Sequence, residues 1–255
     1  MTDAVAGSSM GASRTTEGIP PSERTVANTS RSEVAMASGT GVQLTDPREL
    51  LEVYDPEGNP TGEAKPRGAV HLEGHWHLAF FCWIARPGAR DVEVLLQHRA
   101  ARKDVWPLRF DASAAGHIRF GESLEEAARE VREELGIEVE LRDMVALGRH
   151  RQQHHHANGL IDREHHALHL LTPGPEDAAY RPDPLEVAGL AWIDADDLLG
   201  LVEGRLGEAT VRYRVVDAPA DAFVERTLTP ADLVPYEDGY HRRLIEAICQ
   251  HVPVR

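Results

Sequence analysis

From Glu49 onward the apolar positions fall into short runs separated by turn-forming residues. Residues 50–54 (LLEVY) read as a strand, closed by the dense turn signal Asp55-Pro-Glu-Gly-Asn-Pro. A longer apolar strand follows over 77–85 and passes through Pro87-Gly88 into its hairpin partner at 92–98. Further strands are expected at 138–147, 165–171 and 189–193, with a short acidic helix from Asp194, a hairpin over 210–216 and 222–228, and a C-terminal helix within 230–252. The opening strands imply a mixed sheet.

One stretch has a different period. In GHIRFGESLEEAAREVREELGI (116–137), Leu124, Ala127, Ala128, Val131 and Leu135 cluster on one side of a helix at about 100° per residue, and Glu126, Glu130, Glu133 and Glu134 share the other. Ser123 with Glu126 three residues on is a capping-box spacing, and Gly136 suits the C′ position. Carboxylates at i, i+3 and i+4 repel by a few tenths of a kcal/mol per pair. A divalent ion would relieve that, and hard ions such as Mg²⁺ suit one or two carboxylates together with phosphate oxygens. A merely solvated acidic face is the competing explanation, common in so acidic a chain.

The Gly-rich turn joined to this helix resembles the Nudix box, G-x5-E-x7-R-E-U-x-E-E-x-G-U with U aliphatic. Gly116 and Glu122 match its first half, and Arg129, Glu130, Val131, Glu133, Glu134, Gly136 and Ile137 its second. Six residues rather than seven separate Glu122 from Arg129, a deletion expected to be absorbed where the loop enters the helix. The resemblance extends over 51–136, through GNPTGEAKPRGAVH, HWHLAFFCWI, RKDVWP and DASAAGH, to the Nudix branch containing type I isopentenyl-diphosphate isomerase and its hydrolase relatives. It implies an α/β (α+β) fold, an α/β/α sandwich around a mixed sheet, spanning 46–255 with a C-terminal helical extension.

The resemblance also implies roles. Glu130, Glu133 and Glu134, with the Gly116 carbonyl, match the family's Mg²⁺ ligands, Mn²⁺ being an alternative, and Arg129 would orient the glutamates. The isomerase binds an ion at positions matched by His77, His117, Asp162 and Glu164, with His71 the weakest member because its spacing to His77 is one residue short. Asp162 and Glu164 would share one side of a strand. The isomerase needs a Cys immediately before the Gly-His pair; here that residue is Ala115. The implied activity is therefore hydrolysis of a diphosphate linkage in a small nucleoside or organic diphosphate, with Glu134 or Glu164 as general base. An isomerase-like enzyme and a non-catalytic nucleotide-sensing module are the alternatives.

Composition narrows the partners. The 255 residues carry a formal charge of −15, which repels nucleic-acid backbones and anionic membranes. Two cysteines, Cys82 and Cys249, form neither a disulfide framework nor a zinc motif, and a cytoplasmic location is expected. Cys82 reads as a small buried hydrophobe. Residues 1–45, rich in Ser, Thr, Ala and Gly, read as a disordered tail; Asp3, Glu17, Glu23 and Glu33 weigh against a transit peptide. The tract of His150, His154, His155 and His156 reads as a strand end and loop without a ligand, Glu186 as a surface carboxylate and Trp106 as core packing. Arg142, Arg149 and Arg151 are candidates for touching phosphate.

Overall fold

The computed structural model describes residues 49–172, 174–237 and 239–253, so the tail expected over 1–45 lies outside the described residues. The elements run β1 (Leu50–Tyr54), β2 (Pro60–Pro66), α1 (Arg67–Glu73), β3 (Trp76–Pro87), β4 (Val92–Arg99), β5 (Phe110–Asp111), β6 (Ala114–His117), α2 (Leu124–Ala127), α3 (Arg129–Leu135), β7 (Val145–His155) and β8 (Ile161–Leu171). They continue as β9 (Val187–Asp194), α4 (Ala195–Val202), β10 (Ala209–Val215), β11 (Val224–Leu228) and α5 (Tyr240–His251). No helix among the described residues is long and apolar enough to cross a membrane.

The strands form one sheet with the path β11-β10-β9-β4-β3-β1-β2, while β6 and β8 also pair with β3, β5 with β4, and β7 with β8. The β3–β8 ladder is parallel and the other described ladders are antiparallel. The sheet is therefore mixed, as expected. Successive β3 side chains face opposite layers. Leu78, Phe80, Cys82 and Ile84 pack with Val131 and Leu135 of α3, while Ala79, Phe81, Trp83 and Ala85 share a core with Leu198 of α4 and Leu244, Ile245 and Ile248 of α5. Helices on both faces complete the α/β/α sandwich.

Most of the expected strands and the C-terminal helix are present. Four elements were not read from the sequence: β2, which pairs with β1, the helix α1, and the short strands β5 and β6, the last carrying Gly116 where a turn was expected. The strand expected at 138–147 starts late, because residues 141–143 form a 3₁₀ turn and β7 begins at Val145. It then runs to His155, so the histidine tract is mainly strand rather than loop.

The acidic helix is also corrected. It is two short helices, with Ser123 capping α2 through a complete capping box and a break at Ala128 (ψ −12°). The Val131 N–H reaches the Ala128 carbonyl at 3.2 Å, a 3₁₀-type bond. The break falls within the stretch between Glu122 and Arg129 that is one residue short. Gly136 ends α3 in the left-handed conformation (φ 67°), where a Cβ would lie 2.3 Å from the Arg181 carbonyl oxygen.

β3 and β4 pair only over Ile84–Pro87 and Val92–Leu95, and beyond that point β3 pairs instead with β6. At the fork the Ser113 hydroxyl accepts from Ile84 N–H at 2.8 Å and donates to the Leu95 carbonyl at 2.6 Å, with no exposed surface. Ser113→Ala should strand both backbone groups and lower the unfolding free energy by about 1–3 kcal/mol in a urea titration. An unchanged midpoint would mean that the fork closes without this hydroxyl.

Candidate active site

A cavity of about 540 Å³ opens where β3 and β4 part, lined by residues from β3, β6, β7, β8 and α3. β6 carries Gly116 and His117 on opposite faces, and each meets a different cluster.

On the α3 face, Glu130 lies directly on Gly116. A Cβ there would be 2.1 Å from the Glu130 carboxyl carbon, so the glycine is required for this approach. Burial first, then the neighbouring Glu134 charge, push the Glu130 carboxyl up to about 8 despite its contact with Arg129. Arg129 also binds Glu122 at 2.6 Å and Glu133 at 2.9 Å, and reaches the His117 carbonyl at 3.4 Å. Glu122 in turn accepts from Arg119 N–H at 2.8 Å, which closes the loop between β6 and α2. The two halves of the box remain joined through Arg129 and Glu122.

Glu134 is held at both oxygens. One oxygen accepts from Gln97 at 2.8 Å and from Ala115 N–H at 3.0 Å; the other accepts from Lys103 at 3.0 Å. Glu126, expected on the same acidic face, instead caps Ser123 and is exposed.

On the other face, His71 of α1, His77 of β3 and His117 of β6 bring their rings to 4.9–5.0 Å of one another. The register of β3 with β8 sets Glu164 beside His77. His77 Nε2 lies 3.6 Å from Glu164 and 3.8 Å from Asp162, and His71 Nε2 lies 3.7 Å from Asp162. These separations are too long for hydrogen bonds. His77 Nε2 and Asp162 Oδ1 are buried without a partner, an arrangement whose lone pairs suit a shared cation. His71 and His77 donate Nδ1–H to the carbonyls of Arg67 and His75, freeing Nε2 for a ligand. His117 differs: Arg67 donates to its Nδ1 at 3.2 Å, which leaves the proton on Nε2, 3.3 Å from Glu164.

Charge is divided unequally between the two carboxylates. Burial, with Glu164 next, pushes Asp162 up to about 7. Burial opposes the charge on Glu164 too, but His117, His166 and His77 outweigh it and hold this carboxyl well below the usual range. Burial and the charge of His77 lower His71 to about 4.

Every candidate residue except the tail is therefore accounted for in space, and His71, the weakest by spacing, sits within the cluster. Three expectations are corrected. Trp106 is not core packing; it lines the cavity at φ 50°, its ring 5.2 Å from those of both His154 and His156. Glu186 is not a surface carboxylate but a partner of Lys103 on the cavity wall. His154 and His156 are not idle loop residues, since His154 lines the cavity and His156 Nε2 is buried 4.0 Å from Asp162. Arg149 and Arg151 bind the Gly58 and Pro56 carbonyls and Arg142 is exposed beside Glu140, all away from the cavity wall. His166, donating to Glu164 at 2.8 Å, was missed, although its two-residue spacing from Glu164 was visible.

The NUDIX domain family model matches residues 75–214. An uncharacterized Nudix hydrolase of Clostridium acetobutylicum is 30% identical over 201 residues, covering 78% of this chain and 97% of that one. An isopentenyl-diphosphate Delta-isomerase of Leifsonia xyli subsp. xyli is 36% identical over 162 residues, 62% of this chain and 84% of that one. A crystal structure from Deinococcus radiodurans aligns with a TM-score of 0.46 at 21% identity, covering 61% of this chain and 90% of its own.

A ligand that binds only the folded state at a hundredfold excess over its dissociation constant adds about 2.7 kcal/mol of stability. Mn²⁺ should produce such a gain in denaturant titrations. Combining His77→Gln with Asp162→Asn should remove the part due to the histidine cluster; an undiminished gain would take this cluster out of the metal-binding residues.

Proposed function

The chain belongs to the Nudix hydrolase family, and we propose that it is a Mg²⁺-dependent enzyme that hydrolyses a diphosphate linkage in a small nucleoside or organic diphosphate, prenyl diphosphates included. The observation that carries this reading is the charge of the cavity. Its wall holds ten carboxylates and five cationic side chains. Each of the five is already paired: Arg67 with Asp104, Arg99 with Asp111, Lys103 with Glu134 and Glu186, Arg119 with Glu49, and Arg129 with Glu122, Glu130 and Glu133. A diphosphate is repelled by such a wall unless divalent cations accompany it.

The residues fit that requirement in two places. Glu130, Glu133 and Glu134, with the Gly116 carbonyl, would hold ions at the box; His71, His77, Asp162 and Glu164, joined by His117 once Arg67 releases its Nδ1, would hold another on the opposite face. When bound, Mg²⁺ or Mn²⁺ supplies charge neutralisation at the phosphate oxygens and acidifies a water. The chain's own part is positioning. Arg129 holds Glu130 and Glu133 in place, and Gln97, the Ala115 N–H and Lys103 fix Glu134. Glu134 or Glu164 takes the proton from the attacking water as it adds to phosphorus and the leaving phosphate departs. We infer a cytoplasmic setting, which keeps the unpaired Cys82 and Cys249 reduced.

A second reading has one observation in its favour, the similarity to isopentenyl-diphosphate isomerases. Against it, Ala115 stands where the isomerase has its cysteine. Neither cysteine of this chain lines the cavity.

The experiment is incubation of the full chain with Mg²⁺ and a panel of nucleoside diphosphate derivatives, nucleoside triphosphates and isopentenyl diphosphate, with products read by mass spectrometry. Phosphate-releasing cleavage is expected; an isomeric diphosphate without phosphate loss would establish the isomerase instead, and binding without product a sensor. On the substrate so found, Glu133→Gln and Glu134→Gln should each lower kcat by about a hundredfold or more while keeping the folded state. Turnover near the parent's would remove that residue from the mechanism.

A further inference from the structure

Lys103 and Lys65 are the only lysines of the chain. Lys103 sits inside the carboxylate cluster, with only 12% of its side chain exposed. Its ammonium binds Glu134 of α3 at 3.0 Å and also contacts Glu186, which lies just before β9. The remaining bonds to Glu134 come from neutral donors, Gln97 and the Ala115 backbone N–H. Asp183 lines the same stretch of cavity wall. Among the described residues, Lys103 is the cation that pairs with both Glu134 and Glu186. A positive centre joining carboxylates from two separate elements is the arrangement a bridging divalent ion adopts. Here it is covalently tied to the chain.

We propose that Lys103 is a tethered cation occupying the place a further divalent ion would take between Glu134 and Glu186. The proposal rests on the metal-dependent reading of the site. Its consequence is a division of labour along α3. Glu130 and Glu133, with the Gly116 carbonyl, ligate exchangeable ions alone, whereas Glu134 shares its carboxylate between such an ion and the fixed charge. An ammonium carries three donors and no acceptor, so two of them satisfy the carboxylates and the third is available to a diphosphate oxygen in the cavity. The site then needs one exchangeable ion fewer than its carboxylates would otherwise demand.

The test is the number of Mn²⁺ ions bound per chain, measured by isothermal titration of the full-length protein with Mn²⁺ alone. Lys103→Met leaves Glu134 and Glu186 facing each other without a cation, and its stoichiometry should rise by one over the parent. Lys103→Arg, which keeps the charge, should bind the parent's number. Adding Glu186→Gln to Lys103→Met should bring the number back down. Circular dichroism checks folding, and Lys103→Gln serves if the Met variant does not fold. If the parent binds Mn²⁺ and neither neutral variant binds more, the tethered-cation proposal is overturned while the metal reading stands. If the parent binds no Mn²⁺, the metal reading falls and the proposal with it.

Discussion

The divergence of β3 from β4 is the constraint on which the site depends. β3 is paired with β8 along nearly its whole length, but on its other side it exchanges β4 for β6 within a few residues. A sheet cannot change partners there without leaving backbone groups unpaired in its interior, and an orphaned buried group costs about 1–3 kcal/mol. Ser113 supplies the one hydroxyl that answers both sides of the split. Past it, the free edge of β6 faces the cavity, which is why the Ala115 N–H is bonded by a carboxylate rather than by a strand. Strand alternation then sends Gly116 toward α3 and His117 toward β8. Two clusters on opposite faces of the sheet follow from one short strand.

Charge governs what fills that gap. Burying carboxylates is unfavourable unless each finds a partner, and the penalty is several kcal/mol per uncompensated ion. On the α3 face Arg129 and Lys103 share out the compensation, and Glu130 remains the member whose charge is least supported. On the other face three histidines support Glu164, and Asp162 is left in the same position. Each cluster thus retains one carboxylate held toward neutrality, about 8 for Glu130 and about 7 for Asp162. Perturbed groups of this kind mark places where the fold maintains an arrangement that stability alone would not select. The same tension explains the unpartnered His77 Nε2 and Asp162 Oδ1, which face each other across a gap too wide for a hydrogen bond.

Features written in local spacing were legible in the sequence. The capping box at Ser123, the left-handed Gly136, the hairpins and the parity of Asp162 and Glu164 all depend on neighbours within a few positions. The features that were missed depend on distant ones. Lys103 meets Glu134 from 31 residues away and Arg67 meets His117 from 50, and no periodicity announces either. Glu186 and Trp106 were misread for the same reason, since one carboxylate or one indole has no local signature of what it will face. The histidine tract was misread because its apolar alternation is weak: β7 is held by its register with β8 rather than by a hydrophobic face of its own. The shortened box was visible as a count, but the helix break at Ala128 had no signature in the spacing.

The chain combines features that the family resemblance assigns to different chemistries. The histidine and carboxylate cluster belongs with the isomerases, and the full set of Glu130, Glu133 and Glu134 with the hydrolases. Ala115 is where the two meet. Its backbone N–H is one of the groups fixing Glu134, and its side chain borders the same cavity as His117 and Glu164. A thiol at that point would face substrate; a methyl group there offers no proton. Cys82, the nearest cysteine in the sheet, points to the opposite layer and is sealed among Phe80, Ile84 and the α3 side chains, where burial pushes its thiol up to about 12. Proton transfer to carbon therefore has no thiol to use, whereas the proposed attack of water on phosphorus needs only carboxylates and the cations they would hold. That asymmetry is why the proposed choice of hydrolysis over isomerisation turns on one residue.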